Sequence, residues 1–300
     1  MDNAEPQPGV AETLARGVTR ILAPNPSPMT LHGTNTYLLG DRAMAVIDPG
    51  PLDEAHLAAI LGQTGPGRRI SHIFVTHAHA DHSPLAAPLA AATGARIHAF
   101  GGPEAGRSAI MRQLAASGGV GGGEGVDAGF RPDVELSDGQ IVAGDGWRLT
   151  AHWTPGHFGN HLCFSAGDMV FTGDLVMGWA SSLVSPPDGD LTDFMASCRR
   201  LKGLNARVFH AGHGAPVDDP AGRLDWLIGH RLSREAAILE ALTRGPGDAA
   251  SIAAELYTDT PALLMPAATR NVLAHLIDLM KQNLVSPYGD LTAASRFFRR

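Results

Sequence analysis

Cysteine is almost missing from this 300-residue chain. Cys163 and Cys198 are its only two, they form no spaced pair, and they supply no disulfide framework, which fits a reducing compartment. Lysine is nearly absent as well: Lys202 and Lys281 stand beside 21 arginines, a bias of composition rather than of mechanism. A basic surplus is missing too. Residues 1–220 carry 14 Lys+Arg against 22 Asp+Glu and residues 221–300 carry 9 against 8, so the net −7 divides into −8 and +1. Neither part has the cationic excess of a dedicated nucleic-acid binder. No apolar run approaches the ~18 residues that a membrane span requires. The opening Met1-Asp2-Asn3-Ala4-Glu5-Pro6 lacks a basic and then apolar leader, so a cytoplasmic protein without membrane contact is expected.

What remains is an ordinary globular composition, 44% hydrophobic and 18% charged, long enough for one large domain and a small one. Residues 1–20 look like a ragged entry. Short strands are expected at 36–39 and 43–47 around a Gly40-Asp41 turn, then at 72–75, 96–100, 134–136, 140–142, 147–153, 161–165, 169–172 and 207–210. Helical patterns fall near 53–63, 84–93, 103–116 and 191–203. The glycine-rich 118–125 lacks the Gly-Lys-Ser/Thr ending of a phosphate loop and suggests a mobile rim. This order points to an α+β class, two mixed sheets packed face to face with helices outside, over residues 1–218. After Pro216 the pattern changes to helices near 219–243, 249–257 and 266–282 and a hairpin from 284–288 with 296–298. Residues 219–300 therefore resemble a winged helix.

The chemistry is concentrated in Thr76-His77-Ala78-His79-Ala80-Asp81-His82, directly after an apolar strand. His-x-His at a strand end puts two imidazoles on one side of the chain. Asp81 and His82 follow, offset by the expected start of a helix, and can address a second ion. Folding alone has no use for such a cluster, whose ring nitrogens and charge are awkward to bury without a cation. Other strand ends carry matching groups: His157 in Thr154-Pro155-Gly156-His157, Asp174 in Thr172-Gly173-Asp174, and His213 between Gly212 and Gly214.

These motifs, with Gly33-Thr34-Asn35-Thr36-Tyr37 and Ile47-Asp48-Pro49-Gly50, resemble the metallo-β-lactamase fold superfamily over residues 30–216. The resemblance implies an αβ/βα sandwich and two metal sites. His77, His79 and His157 would hold one ion, Asp81, His82 and His213 the other, and Asp174 would bridge them. It also implies that Asp48 supports the ligand loop. The donor set suits two divalent ions, zinc first, with iron and manganese as alternatives. His230-Arg231-x-x-Arg234-Glu235 and Leu256-Tyr257-Thr258-Asp259-Thr260-Pro261 are similar to the β-lactamase-like protein 2 group, which carries a C-terminal winged helix and includes a single-strand-selective endoribonuclease. Phe158 departs from the threonine of many relatives and is expected to alter the rim alone.

Of the remaining histidines, His72, His98, His152 and His210 are expected to serve structure, while His161 is expected to line the pocket or support a ligand. Two ions would bring a bridging water from pKa about 15.7 toward about 7, with Asp174 and Asp81 as catalytic carboxylates. Three readings follow. One is a hydrolase for a small ester, thioester or lactam. The second is a metal-dependent endoribonuclease for single-stranded RNA. The third is a non-enzymatic, metal-bearing regulatory module. The tail is expected to cover the site or to mediate a homodimer.

Overall fold

The computed structural model describes residues 6–118 and 125–300. Seven strands make the larger sheet in sequence order: β1 Ala11–Ala15, β2 Val18–Leu22, β3 Asn35–Leu39, β4 Ala43–Ile47, β5 Arg69–Phe74, β6 Arg96–Ala99 and β7 Val134–Glu135. Neighbours are antiparallel from β1 to β4 and parallel from β4 to β7. A second sheet has β8 Ile141–Ala143, β9 Arg148–Trp153, β10 Leu162–Ala166, β11 Met169–Gly173 and β12 Val208–Ala211, antiparallel except for the β11–β12 pair. The expected pair of mixed sheets is thus present.

Period-two alternation explains the layering. Ala45 and Ile47 of β4 point into the core between the sheets, with Phe74, Leu162, Phe164 and Phe171. Met44 and Val46 of the same strand point the other way, under helices α1 Glu54–Leu61 and α2 Ala86–Thr93. On the opposite outer face Cys163, Val170 and Phe209 pack beneath α4 Leu191–Lys202 and the first half of α5 Pro220–Ala241. No helix among the described residues is long and apolar enough to cross a membrane.

Three expectations need correction. Residues 11–22 form a hairpin instead of a ragged entry. Its signal is weak because β1 is a mostly exposed edge strand and because β2 buries Arg20, which pairs with Glu12 at 2.5 Å. Helix α3 spans Ala109–Ser117, not 103–116, because Ser108 caps its first turn. Asp81 and His82 lie in a run of turns, with α2 starting only at Ala86. Most of the glycine-rich 118–125 stretch falls outside the described residues.

The C-terminal part continues with α6 Ala249–Leu256, whose Asp248 and Ser251 form a reciprocal cap, then α7 Met265–Lys281. Strands β13 Gly247–Asp248, β14 Val285–Pro287 and β15 Arg296–Arg299 close it as a small antiparallel sheet. Helix α7 is buried without a break from Val272 to Leu279, and it meets the catalytic part directly. Thr192 donates to Asp278 at 2.5 Å, and Lys281 Nζ lies 2.7 Å from Asp190.

Arg231 of α5 ties the two parts together. It is 1% exposed, donates to Asn271 of α7 at 2.7 Å and to the carbonyl of Ser182, and stacks over Phe194. Burial pushes its guanidinium down to about 10. Replacement by methionine strands the Ser182 and Asn271 acceptors. Arg231→Met should therefore lose about 3 kcal/mol of stability, seen as a lower urea midpoint at unchanged slope.

Candidate metal centre

The seven candidate ligands follow the C-terminal ends of β5, β9, β11 and β12. Two groups of potential metal ligands gather there: His77, His79 and His157 in one, and Asp81, His82, Asp174 and His213 in the other. Within each group one ligand atom per residue lies within 4.8 Å of the rest. In the first, His79 Nδ1 lies 2.8 Å from His77 Nε2 and 3.0 Å from His157 Nε2. In the second, His213 Nε2 lies 3.2 Å from Asp81 Oδ2 and 3.4 Å from Asp174 Oδ1, which is also 3.4 Å from His82 Nε2. Asp174 belongs to both, since its Oδ2 faces His157 Nε2 at 3.7 Å.

Acceptors behind the rings set the tautomers. His157 Nδ1 donates to the Leu183 carbonyl at 2.7 Å and His213 Nδ1 to the Gly33 carbonyl at 3.0 Å. His82 Nδ1 donates to Asp48 Oδ2 at 3.0 Å. Thr76 Oγ1 donates to Asp48 at 2.7 Å and so accepts from His77 Nδ1 at 3.0 Å. In neutral rings the Nε2 lone pairs of all four then point inward. His82 Nε2, His213 Nε2 and Asp174 Oδ1 are buried without a hydrogen-bond partner, which a cation would correct. The donor set fits a pair of divalent ions.

The Gly33–Tyr37 motif is the clamp on the His213 loop. Asn35 donates to the carbonyls of Ala211 and Gly214 at 3.0 and 2.9 Å, and Tyr37 donates to Ala211 at 2.6 Å. Gly212 must lack a side chain, because a Cβ there would stand 2.4 Å from Asp174 Oδ1. Asp48 keeps its role at the price of a left-handed backbone, φ 50°.

Residues 29–213 match the Metallo-beta-lactamase superfamily, and residues 249–293 match the Beta-lactamase associated winged helix domain. The chain belongs to the metallo-β-lactamase superfamily. It is 30% identical to a beta-lactamase-like protein 2 homolog of Drosophila melanogaster, over 90% of this chain and 89% of that one. It is also 30% identical to an atrochrysone carboxyl ACP thioesterase of Aspergillus fumigatus, over 82% and 73%. A metallo-beta-lactamase family protein of Thermus thermophilus superposes with TM-score 0.77 at 28% identity, over 96% of this chain and 100% of that one. Membership makes the chain a metal-dependent hydrolase with two candidate metal sites.

Within this superfamily member, His161 does not border the open cavity. It is fully buried, its ring 5.2 Å from that of His77, and it is held by Thr154. Phe158 is not at the rim either: it is buried, with its ring 4.8 Å from His79, so it braces a ligand from behind. His72, His98 and His210 pack among aromatic rings, and His152 bonds Ser165. A cavity of about 280 Å³ opens on His79, Asp81, His157 and Asp174. Its far wall holds residues that sequence reasoning missed as site groups, Asp188 and, from α7, Arg270. Neither belongs to a local motif.

Electrostatics divide the two clusters in the metal-free state. Burial and neighbouring imidazoles press His77 well below its ordinary range and His79 down to about 3; burial lowers His157 too. Burial opposes charge on His82 and His213 as well, but Asp81 and Asp174 outweigh it. His82 stands well above its ordinary range and His213 rises to about 9. Both are protonated at pH 7, so loading the second cluster should release about two protons and loading the first none. Affinity at the second cluster should climb with pH between 7 and 9. Titration calorimetry in buffers of different ionisation enthalpy would show this, whereas no buffer dependence for either ion would contradict it.

Proposed function

We propose that this hydrolase cleaves a small ester, thioester or lactam-type substrate, thioester foremost, with zinc in both sites. The observation that carries the reading is the sharing of Asp174, whose two oxygens face the two clusters. Bound there, two divalent ions supply a water ionised near neutral pH and polarise the substrate oxygen. The protein's part is to position. Asp174 orients the attacking water and relays its proton through Oδ2, the oxygen with fewer neighbours. Asp81, 28% exposed, borders the cavity beside it. Leu183, Met177 and Val126 exclude bulk water from the reacting atoms.

Two further observations favour an acyl substrate. The relative from Aspergillus is named a thioesterase. Beside the cavity, and sharing Met29, Met177 and Leu183 with it, runs a groove of about 250 Å³ with mainly apolar walls, suited to an acyl chain. The endoribonuclease reading draws on the tail's similarity to the β-lactamase-like protein 2 group. Against the regulatory-module reading, all seven candidate ligands are kept and gathered into two clusters.

A panel of thioester, lactone, β-lactam and single-stranded RNA on zinc-loaded protein separates these. Thioester turnover should dominate and hardly respond to salt, whereas RNA cleavage that falls steeply with ionic strength would replace this reading with the nuclease. His157→Ala should lose bound metal and at least about 100-fold in turnover.

A further inference from the structure

Arg270 is the one cation on the wall of the metal cavity among the described residues. It reaches that wall from α7, in the C-terminal part, 96 residues beyond Asp174. Asp188 shares the wall but is already engaged, with Arg107 Nη2 2.6 Å from its Oδ1. Among the described residues Arg270 forms no ion pair, and its Nε is buried with no hydrogen-bond acceptor. A guanidinium has five donors and no acceptor, and burying any of them unpaired is unfavourable by about 1–3 kcal/mol. Among the described residues the fold gives this cavity-wall group no internal partner, so an anion from outside suits it.

We propose that Arg270 binds a free carboxylate carried by the substrate beyond its scissile carbonyl. The C-terminal part is thereby a wall of the active site that selects acids with a second carboxyl group. This rests on the acyl-hydrolase reading above. A carboxylate fits for two reasons. The planar guanidinium fork matches it in a paired hydrogen bond. The acyl substrate of the proposed reaction can also carry such a carboxylate as its second acid group.

The test compares the N-acetylcysteamine thioesters of glutaric acid, with its carboxylate free or capped as a primary amide, on zinc-loaded wild type, Arg270→Ala and Arg270→Lys. Wild type should prefer the free acid by about 10–100-fold in kcat/KM, Arg270→Ala should bring that ratio near one, and Arg270→Lys should keep part of it. Glutarate binding, followed by calorimetry, should weaken in Arg270→Ala by a similar factor while metal stoichiometry and Tm hold, since no partner among the described residues is lost. An equal ratio in wild type and Arg270→Ala, or equal glutarate affinity, overturns the proposal and leaves the acyl reading intact. Failure of wild type to cleave either thioester, with glutarate binding still dependent on Arg270, sinks the acyl reading instead. If bis(p-nitrophenyl) phosphate is cleaved in their place and loses turnover in Arg270→Ala, the anion at Arg270 is the scissile diester and the proposal falls.

Discussion

Asp48 is the group on which both halves of the centre depend. One of its oxygens accepts from the backbone of Thr76, which starts the His77–His79 segment, while the other accepts from the Thr76 hydroxyl and from His82. A single carboxylate therefore sets the Nδ1 proton of a ring in each cluster, directly for His82 and through Thr76 for His77. The lone pairs of His77, His79 and His157 repel one another when brought this close, and an unsupported loop would let them turn outward. Asp48 prevents that, and the strained backbone that presents it is held by the Phe74 carbonyl at its N–H and by the Thr36 hydroxyl at its C=O. Strain stored in so few bonds persists only where the surrounding sheet over-determines it.

The C-terminal part belongs to the same construction. Arg231 fixes the Ser182 carbonyl, and the next carbonyl in the chain, Leu183, orients His157. A helix 74 residues beyond His157 thus reaches a metal-binding ring through one peptide unit. Helix α7 adds Arg270 to the cavity and is anchored through Lys281 and Asp278 to the start of α4. Domain boundaries drawn from composition separate these pieces, yet buried hydrogen bonds join them.

How far the sequence reveals this depends on whether the determinants are local. The four groups between His77 and His82 are contiguous, and His157, Asp174 and His213 each follow a strand-like run, so the structure gathers residues whose pattern is visible in the chain itself. The unbroken apolar run of Ala43–Ile47 likewise announces a strand buried on both faces. Determinants that act across long separations stay hidden. Nothing around Arg270 or Asp188 marks them as cavity walls, because only the docking of α7 and the path of residues 177–188 bring them there. The β1–β2 hairpin is hidden for a different reason: an edge strand has one neighbour and little apolar surface to advertise, and a buried arginine interrupts the pattern of the next. Phe158 reads as a rim substitution because it follows a ligand in sequence, but the turn at Gly156 sends its ring into the core behind His79.

The decisive measurement is anomalous X-ray diffraction at the zinc edge from crystals of the zinc-loaded protein. The account predicts two peaks, one among His77, His79 and His157 and the other among Asp81, His82 and His213, with Asp174 touching both. A single peak, or two peaks with Asp174 turned away from either, would contradict it.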